Sequence, residues 1–126
     1  MPAGAVIPVL GYPDVGEAVE WLCGAFGFRE RWRAGNHRAQ IAVGDGAVAV
    51  TERQSASRGE IMVRIEDADR HHERARRFGA QIVQPPADYP YGERQYTAED
   101  LAGHHWTFSE SIADVAPEEW GGTSSP

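Results

Sequence analysis

One order of secondary-structure patterns occurs twice along this chain, and that repeat constrains the fold more than any other feature of the sequence. In each copy a strand pattern leads into an amphipathic helix, and three further strand patterns follow. The first predicted helix ends at "FGF", residues 26–28, and the second at "FGA", residues 78–80, 52 positions later. Two copies are too few for a propeller or a solenoid. The sequence therefore predicts an α+β fold of two tandem βαβββ modules.

The boundaries follow from helix caps and turn residues. Asp14 and Glu17 form a capping-box pair that predicts the start of the first helix, and Gly27 predicts its left-handed end. Gly44-Asp45-Gly46 is a hairpin signal. We predict a single domain over residues 1–126, with module one at about 5–54, module two at about 58–112, and a flexible C-terminal tail at about 117–126 that contains one helical turn at Pro117 to Trp120.

The strands of module two alternate between two faces. In "EIMVRIED" the apolar residues Ile61, Val63 and Ile65 share one face. The helix pattern "ADRHHERARRFGA" has four predicted inward positions: Ala68, His72, Ala75 and Phe78. "QIVQPP", "ERQYTAED" and "HHWTFSES" supply the last three strands. In the last strand Trp106 and Phe108 are predicted to face the core, which leaves His105, Thr107 and Ser109 for the opposite face.

Composition excludes several classes of function. The net charge of −7 argues against a nucleic-acid partner and favours cationic ligands. No apolar run is long enough to span a membrane, and the N-terminus has no signal-peptide pattern, so we expect a cytoplasmic protein without a membrane partner. The single cysteine, Cys23, rules out an internal disulfide framework and a cysteine-based zinc cluster. Its position in a helical pattern predicts a buried small hydrophobe.

The segment "YGERQYTAEDLAGHHWTF", residues 91–108, resembles the closing motif of the vicinal oxygen chelate superfamily, which includes glyoxalase I, extradiol dioxygenases, fosfomycin-resistance enzymes and bleomycin-binding proteins. The "DxxGHxW" pattern followed by "PEE" resembles the glyoxalase-like, PhnB-like branch of that superfamily. The resemblance covers roughly residues 5 to 120. It implies two curved half-sheets around a cleft with the helices outside, and it implies a homodimer.

The resemblance also implies four metal-ligand positions, one on the first and one on the last strand of each module. Counting from the helix starts and the repeat assigns these positions to Ile7, Val50, Glu60 and Thr107. Only Glu60 is a strong ligand for a divalent ion, so we predict no metal and no other cofactor. A two-residue shift on two strands would instead place Glu52 and His105 beside Glu60, and that set stays open as an alternative.

The adjacent histidines have simpler explanations than a metal site. His104, at the Gly-His turn, is predicted to bind backbone groups at the start of the last strand. His105 is predicted to be a polar residue in the wall of the cleft. His71 and His72 diverge by about a third of a turn on a helix, whereas metal-binding helical pairs lie three or four residues apart, so solvation or packing explains them better.

The predicted cleft has an apolar floor with a few charged and hydrogen-bonding groups, as small-molecule pockets usually do. Aromatic residues in "PPADYPYGERQY", together with Trp32, could cap it, although the "YGxRxY" part could equally serve folding of the strand. The predicted ligand-binding residues are Ile7, Val9, Val50, Glu52, Glu60, Met62, Arg64, Tyr91, Arg94, Tyr96, His105 and Thr107, and the candidates for catalysis are Glu60 and His105.

Three hypotheses for the function follow. The first is a metal-independent protein that binds or sequesters a small cationic or aromatic molecule, as the bleomycin-resistance type does. The second is a lyase, isomerase or dioxygenase-type enzyme, either metal-dependent through Glu52, Glu60 and His105 or metal-free with Glu60 or His105 as general base. The third is an interaction module in which the cleft has no role.

Overall fold

The computed structural model describes residues 6–54 and 58–122. Module one consists of β1 (Val9–Tyr12), α1 (Val15–Phe26), β2 (Arg29–Ala34), β3 (Arg38–Val43) and β4 (Gly46–Glu52). Module two consists of β5 (Glu60–Arg64), α2 (Ala68–Phe78), β6 (Gln81–Tyr89), β7 (Glu93–Glu99) and β8 (His105–Ser111). A 3₁₀ turn at Pro117–Trp120 follows. The repeated order confirms the predicted α+β fold with two βαβββ units.

Each module forms its own four-stranded sheet, and the two sheets have the same topology. The strand orders are β1-β4-β3-β2 and β5-β8-β7-β6. The first strand of each module pairs in parallel with the last, and the remaining neighbours are antiparallel. The sheets also share an irregularity, because a bulge separates Glu30 from Trp32 in β2 and Ile82 from Gln84 in β6.

The helix boundaries follow the predicted signals. An aspartate caps each helix, since Asp14 Oδ1 accepts from the Glu17 N–H at 2.9 Å and Asp67 Oδ1 accepts from the Arg70 N–H at 3.0 Å. Each helix ends at a glycine with positive φ, 76° at Gly27 and 105° at Gly79. Among residues 6–54 and 58–122, no helix is long and apolar enough to cross a membrane.

One hydrophobic core joins the two modules on the helix-facing side of the sheets. The Phe26 ring of α1 lies 4.8 Å from that of Phe108 and 5.6 Å from that of Trp106, both on β8. The two helices also touch, because Phe78 of α2 packs over Gly24, where even a Cβ would come within 2.4 Å of the ring. Cys23 lies partly buried against this core, as predicted, and burial raises the pKa of its thiol.

The structure corrects two details of module two. The predicted strand "QIVQPP" continues to Tyr89, so most of the expected capping segment is a β-hairpin; prolines at 85 and 86 are tolerated because β6 is an edge strand with a second bulge there. On α2 the half-buried His71 ring packs 4.1 Å from Phe108 and His72 packs 5.2 Å from Tyr96, whereas Phe78 is 47% exposed. Residues 5, 55–57 and 123–126 of the predicted boundaries lie outside the described residues.

Candidate functional site

Each sheet has a second face that the two helices do not cover, and we call it the open face. Side chains alternate along a strand, so the core residues fix which neighbours point the other way. In module two the open face carries Glu60 and Met62 of β5, and their register partners His105 and Thr107 of β8. These four predicted site residues are therefore brought together. The predicted placement of Ser109 beside them holds as well, since it pairs with Arg64.

Polar side chains pair across the strands of this open face. His105 Nε2 lies 3.2 Å from Glu99 Oε1, and the hydroxyls of Thr97 and Thr107 hydrogen-bond to each other at 2.8 Å. Further along, Ser109 Oγ donates to Glu93 Oε1 at 2.6 Å. The face is thus a continuous polar ladder across β7 and β8, with fixed hydrogen-bonding groups of the kind that orient a ligand.

A pocket of about 400 Å³ lies over the start of this ladder. Its walls are mixed, with the Val83 and Met62 side chains beside polar groups; the lining residues are Glu60, Ile61, Met62, Val83, Gln84, Thr97, His105 and Thr107. A groove of about 740 Å³ between the β3–β4 hairpin and β5 adjoins it and shares Met62 with it. The larger groove is mainly apolar, whereas the smaller pocket has polar and apolar walls in similar proportion.

Glu60 is the group in this pocket that is free to bind a ligand ion. His105 is engaged by Glu99, and Arg64 lies 3.2 Å from Glu93 in an ion pair. Within the described residues, Glu60 has neither a hydrogen-bond nor an ion-pair partner for its exposed carboxylate. An unpaired carboxylate beside a histidine–glutamate pair gives this end of the open face a negative charge.

The open face of module one has the same register but different side chains. One row of paired residues crosses the sheet of module one from β1 to β2 and consists of Val9, Ala49, Gln40 and Trp32. The equivalent row of module two consists of Met62, Thr107, Thr97 and Gln84. Trp32 is 43% exposed and Val9 is 45% exposed. Ile7, half-buried, stands seven residues before its capping aspartate, as Glu60 does before its own. The part of this face on β1 and β4 is apolar, and Trp32 adds an aromatic ring on β2.

Two predicted cleft residues on β4 lie elsewhere. Val50 pairs with Leu10 and is fully buried in the helix-facing core, so the prediction of its face is wrong. Glu52 lies at the exposed end of β4, 3.3 Å from His37 Nδ1 and in a different sheet from Glu60 and His105. Between paired positions, the path from Thr97 to Thr107 is one residue longer than the equivalent path from Gln40 to Ala49, so the repeat aligns Thr107 with Ala49 rather than with Val50.

Two predicted ligand-binding residues of β7 point toward α2. Tyr96 is 1% exposed, and its hydroxyl hydrogen-bonds to His71 Nδ1. Arg94 forms ion pairs with Asp69 of α2 at 2.9 Å and with Asp88 at 2.8 Å. The placement of both in the cleft is therefore wrong, and their alternation along β7 serves the fold. Tyr91, by contrast, donates to Gln95 Oε1 at 3.3 Å, at the edge of the open face.

The "DxxGHxW" motif fastens module two to β1, and we call its contacts the clamp. The Tyr12 hydroxyl donates to Asp100 Oδ2 at 2.5 Å, and Trp106 Nε1 donates to the same oxygen at 3.0 Å. Asp100 Oδ1 accepts from the backbone N–H groups of Ala102 and His104, both at 3.0 Å. Burial, and then the Asp100 carboxylate, raise the pKa of Tyr12, so its proton stays in place.

His104 completes the clamp, and its tautomer follows from its partners. Nδ1 accepts from the Gly59 N–H at 2.7 Å, so the proton is on Nε2, which donates to the Gly11 carbonyl at 2.8 Å. The prediction that His104 binds backbone groups at the strand entry is confirmed. Both nitrogens are used, so this histidine holds the two modules together.

The donor set does not fit a divalent metal ion. Module one offers Ile7 and Ala49 at the positions equivalent to Glu60 and Thr107, and neither side chain has a lone pair to donate. The alternative set of Glu52, Glu60 and His105 is not assembled, because Glu52 belongs to the other sheet. Among the described residues, no three histidine, cysteine, aspartate or glutamate side chains are grouped so that they could hold a metal.

Sequence reasoning missed Glu99, Thr97 and Glu93 as open-face residues. Each lies on β7 and is identified by its partner on β8, since Glu99 pairs with His105 and Thr97 with Thr107. The alternation of "ERQYTAED" identifies these residues, because Tyr96 is buried against the helix and residues an odd number of positions away on the strand point to the open face. Arg94 and Tyr96, which the "YGxRxY" motif contains, lie on the opposite face of this strand.

Comparison with known proteins shows how this arrangement is shared. A profile of the Glyoxalase/Bleomycin resistance protein/Dioxygenase superfamily matches residues 6–108. The structure of TioX from Micromonospora sp. ML1 is 33% identical with a TM-score of 0.76, covering 86% of this chain and 100% of that one. A search of curated proteins finds no significant match.

Two more distant structures share the fold. The bleomycin-binding protein of bleomycin-producing Streptomyces verticillus, in complex with copper(II)-bleomycin, is 22% identical with a TM-score of 0.69, covering 83% of this chain and 93% of that one. Lactoylglutathione lyase from Agrobacterium tumefaciens is 14% identical with a TM-score of 0.73, covering 89% and 97%. The same fold therefore occurs in both a binding protein and an enzyme.

Proposed function

The chain belongs to the Glyoxalase/Bleomycin resistance protein/Dioxygenase superfamily, and from its open faces we propose that it binds a small cationic or aromatic molecule without a resident metal ion. The observation that carries this proposal is the unpaired Glu60 carboxylate in a pocket of about 400 Å³ beside the His105–Glu99 pair. A cationic group of the ligand binds Glu60, and apolar parts pack on Met62 and Val83. Assignment to the PhnB-like branch and a cytoplasmic location stay predictions.

The distribution of side chains supports binding more than catalysis. On the open face of module two, the polar groups of β7 and β8 hydrogen-bond to each other, which fixes their positions without activating a nucleophile. Sequestration requires affinity alone, so the apolar residues at the metal positions of module one do not impair it. The Streptomyces verticillus relative provides a parallel, since it binds a small molecule on this fold.

A homodimer belongs to the same proposal. Both open faces expose apolar side chains, with Met62 at 65% and Val83 at 50% exposure in module two, and Val9 at 45% in module one. A second copy that covers these side chains removes apolar surface from water and closes the pocket over its ligand. Sedimentation analysis checks the expected dimer, and a monomer at micromolar concentration contradicts this part.

A ligand screen tests the binding function. We expect cationic aromatic compounds to raise the melting temperature, and calorimetry to show at least tenfold weaker binding of those compounds to Glu60→Gln. Glu20→Gln removes the same charge from an exposed position on α1 and is the matched control. Unchanged affinity in Glu60→Gln contradicts the proposal. Conversion of a bound compound by catalytic amounts of protein, abolished in Glu60→Gln, establishes the enzyme instead.

A metal titration tests metal independence separately. Zn²⁺, Ni²⁺, Mn²⁺, Co²⁺ and Fe²⁺ are added to chelator-treated protein, and we expect no saturable change in melting temperature. A metal bound only by the native state would add about 4 kcal/mol of stability at a thousandfold excess over its dissociation constant. A shift that saturates at one equivalent and disappears in Glu60→Gln contradicts metal independence.

A further inference from the structure

The exposed edge of module one carries a second cluster of side chains that the proposed function does not use. Trp32 lies on the open face of the edge strand β2, opposite Gln40 of β3. Arg29 shares this face, because it pairs with Ala42, two residues from Gln40 on the same strand. Arg38 lies two residues from Gln40 in the other direction and is therefore diagonal to Trp32. We call Arg29, Trp32 and Arg38 the arginine–tryptophan edge.

The two guanidinium groups of this edge are available to a ligand. Arg33 on the same strand is paired with Glu30 at 2.8 Å, whereas Arg29 and Arg38 have no hydrogen-bond or ion-pair partner for their side chains within the described residues. Diagonal neighbours in a sheet are about 7–8 Å apart at Cα, within reach of a long side chain. Arg38 is such a neighbour, and Arg29 lies three residues before Trp32 on the same bulged strand, so both arginines can reach a group that lies on the Trp32 ring.

Module two shows that the fold does not require these residues. Its register places Gln81, Gln84 and Gln95 at the positions equivalent to Arg29, Trp32 and Arg38. The same edge, with the same bulge, forms there from three uncharged polar side chains. Charges on an edge strand discourage pairing with other sheets, but a large exposed aromatic ring has the opposite effect. Protection of the strand edge against pairing with other sheets therefore does not explain why Trp32 lies between the two arginines.

We propose that the arginine–tryptophan edge binds an aromatic group that carries a carboxylate or another anionic substituent. The ring of the ligand stacks on the Trp32 indole, and the guanidinium groups of Arg29 and Arg38 donate charge-assisted hydrogen bonds to the anion. Gln40, between the arginines, adds a neutral amide. The protein has a net charge of −7, so selection of an anion here needs these local cations and is not a property of the whole surface.

This inference rests on the proposed function and narrows its ligand class. The pocket of module two offers the free carboxylate of Glu60 to a cation, whereas the edge of module one offers two free guanidinium groups to an anion. The two open faces therefore select opposite charges, with an aromatic acid at the edge of module one and an amine or guanidine at Glu60 of module two. Neither charge alone uses the whole surface.

The test compares three indoles of different charge by ¹H–¹⁵N NMR titration. Indole-3-acetate is the anion, indole-3-acetamide is neutral, and tryptamine is the cation. The Trp32 indole N–H is assigned by its loss in Trp32→Phe, and the amides of His105 and Thr107 report on module two. We expect the acetate to bind at Trp32 at least tenfold more tightly than the amide, and tryptamine to shift the module-two amides.

Arg29→Gln/Arg38→Gln, which installs the residue type of module two, should remove the preference for the acetate. Arg53→Gln/Arg70→Gln removes the same charge from two exposed arginines whose side chains have no partner within the described residues, and it should retain the preference. Equal affinities of all three indoles at Trp32, or an unchanged preference in Arg29→Gln/Arg38→Gln, overturn the inference.

The two readouts separate failure of this inference from failure of the proposed function. If Trp32 does not respond while tryptamine shifts His105 and Thr107, the inference is wrong and the proposed function stands. If the acetate selects Trp32 while tryptamine leaves module two unchanged, the arginine–tryptophan edge is supported and the cation pocket is wrong. No response at either site overturns both.

Discussion

Modules one and two use the same strand ladder to present different surfaces. Where module two has Glu60, His105 and Thr107 on its open face, the equivalent positions of module one hold Ile7, Ala47 and Ala49. The backbone tolerates either set, because these side chains point away from the shared core and their packing does not determine the sheet. The duplicated unit therefore defines positions, and each module fills them with its own chemistry.

The helix-facing sides of the two sheets also carry different side chains, and here packing determines the difference. Here both modules must fill one core, and module two supplies larger aromatic groups, Trp106 and Phe108, where module one has Val48 and Val50. The Trp106 indole N–H needs a buried acceptor, and Asp100 provides it while also binding Tyr12. The clamp is thus a consequence of asymmetric packing, and it sets how the two open faces lie relative to each other.

The largest expected effect comes from removing the acceptor of the clamp. Asp100→Ala leaves four donors without their partner, namely the Tyr12 hydroxyl, the Trp106 N–H and two backbone N–H groups. We expect a loss of roughly 3–5 kcal/mol in the free energy of unfolding, measured with urea. Asp100→Asn keeps an acceptor and should lose less. A loss below about 1 kcal/mol for Asp100→Ala would show that the clamp does not join the modules.

A smaller effect is expected from the histidine in the core of module two. Burial among Phe26, Phe108 and Tyr96 lowers the pKa of His71 to about 4. The unfolded state, with its ordinary pKa near 6.5, then binds the proton first as pH falls. Stability contributed by neutral His71 is present above pH 6.5 and is lost between pH 6.5 and 4.

The predicted loss of stability over this pH range is roughly 3 kcal/mol, since each tenfold difference in proton affinity between the folded and unfolded states corresponds to about 1.4 kcal/mol. His71→Gln retains a hydrogen-bonding group for Tyr96 and should flatten the pH dependence of the urea midpoint over this range. The exposed His37 provides the matched control as His37→Gln, which should leave the curve unchanged. Parallel curves for wild type and His71→Gln would refute the assignment to His71.

Much of the architecture could be predicted from the sequence, because its signals are local. Caps at Asp14 and Asp67, stops at Gly27 and Gly79, and alternation in "HHWTFSES" depend on neighbouring residues. The face of Val50 could not be predicted in this way. That face depends on the lengths of the β3–β4 and β7–β8 connections. One extra residue in a connection moves every side chain of the next strand to the opposite face in the repeat alignment.

The clamp also escaped prediction, for a different reason. Tyr12 and Asp100 are 88 residues apart, and no local pattern indicates that they meet. The histidines of the motif were correctly separated into a structural His104 and an open-face His105, since adjacent residues on a strand face opposite sides. The backbone partners of His104 are Gly59 and, on β1 of the other module, Gly11, and the sequence does not indicate that these residues meet.

The smallest expected effect separates the two kinds of tryptophan in this chain. Trp32 is 43% exposed on the open face of module one, and Gln84 takes its place in module two. Trp32→Gln should therefore lower the free energy of unfolding by only about 1 kcal/mol, because the glutamine retains part of the packing and no hydrogen bond is lost. Trp106→Phe is the milder change chemically, yet it should cost more, since Trp106 is fully buried and donates to Asp100. If urea unfolding shows the reverse order, Trp32 is a structural residue and the difference between the open faces reflects folding rather than binding.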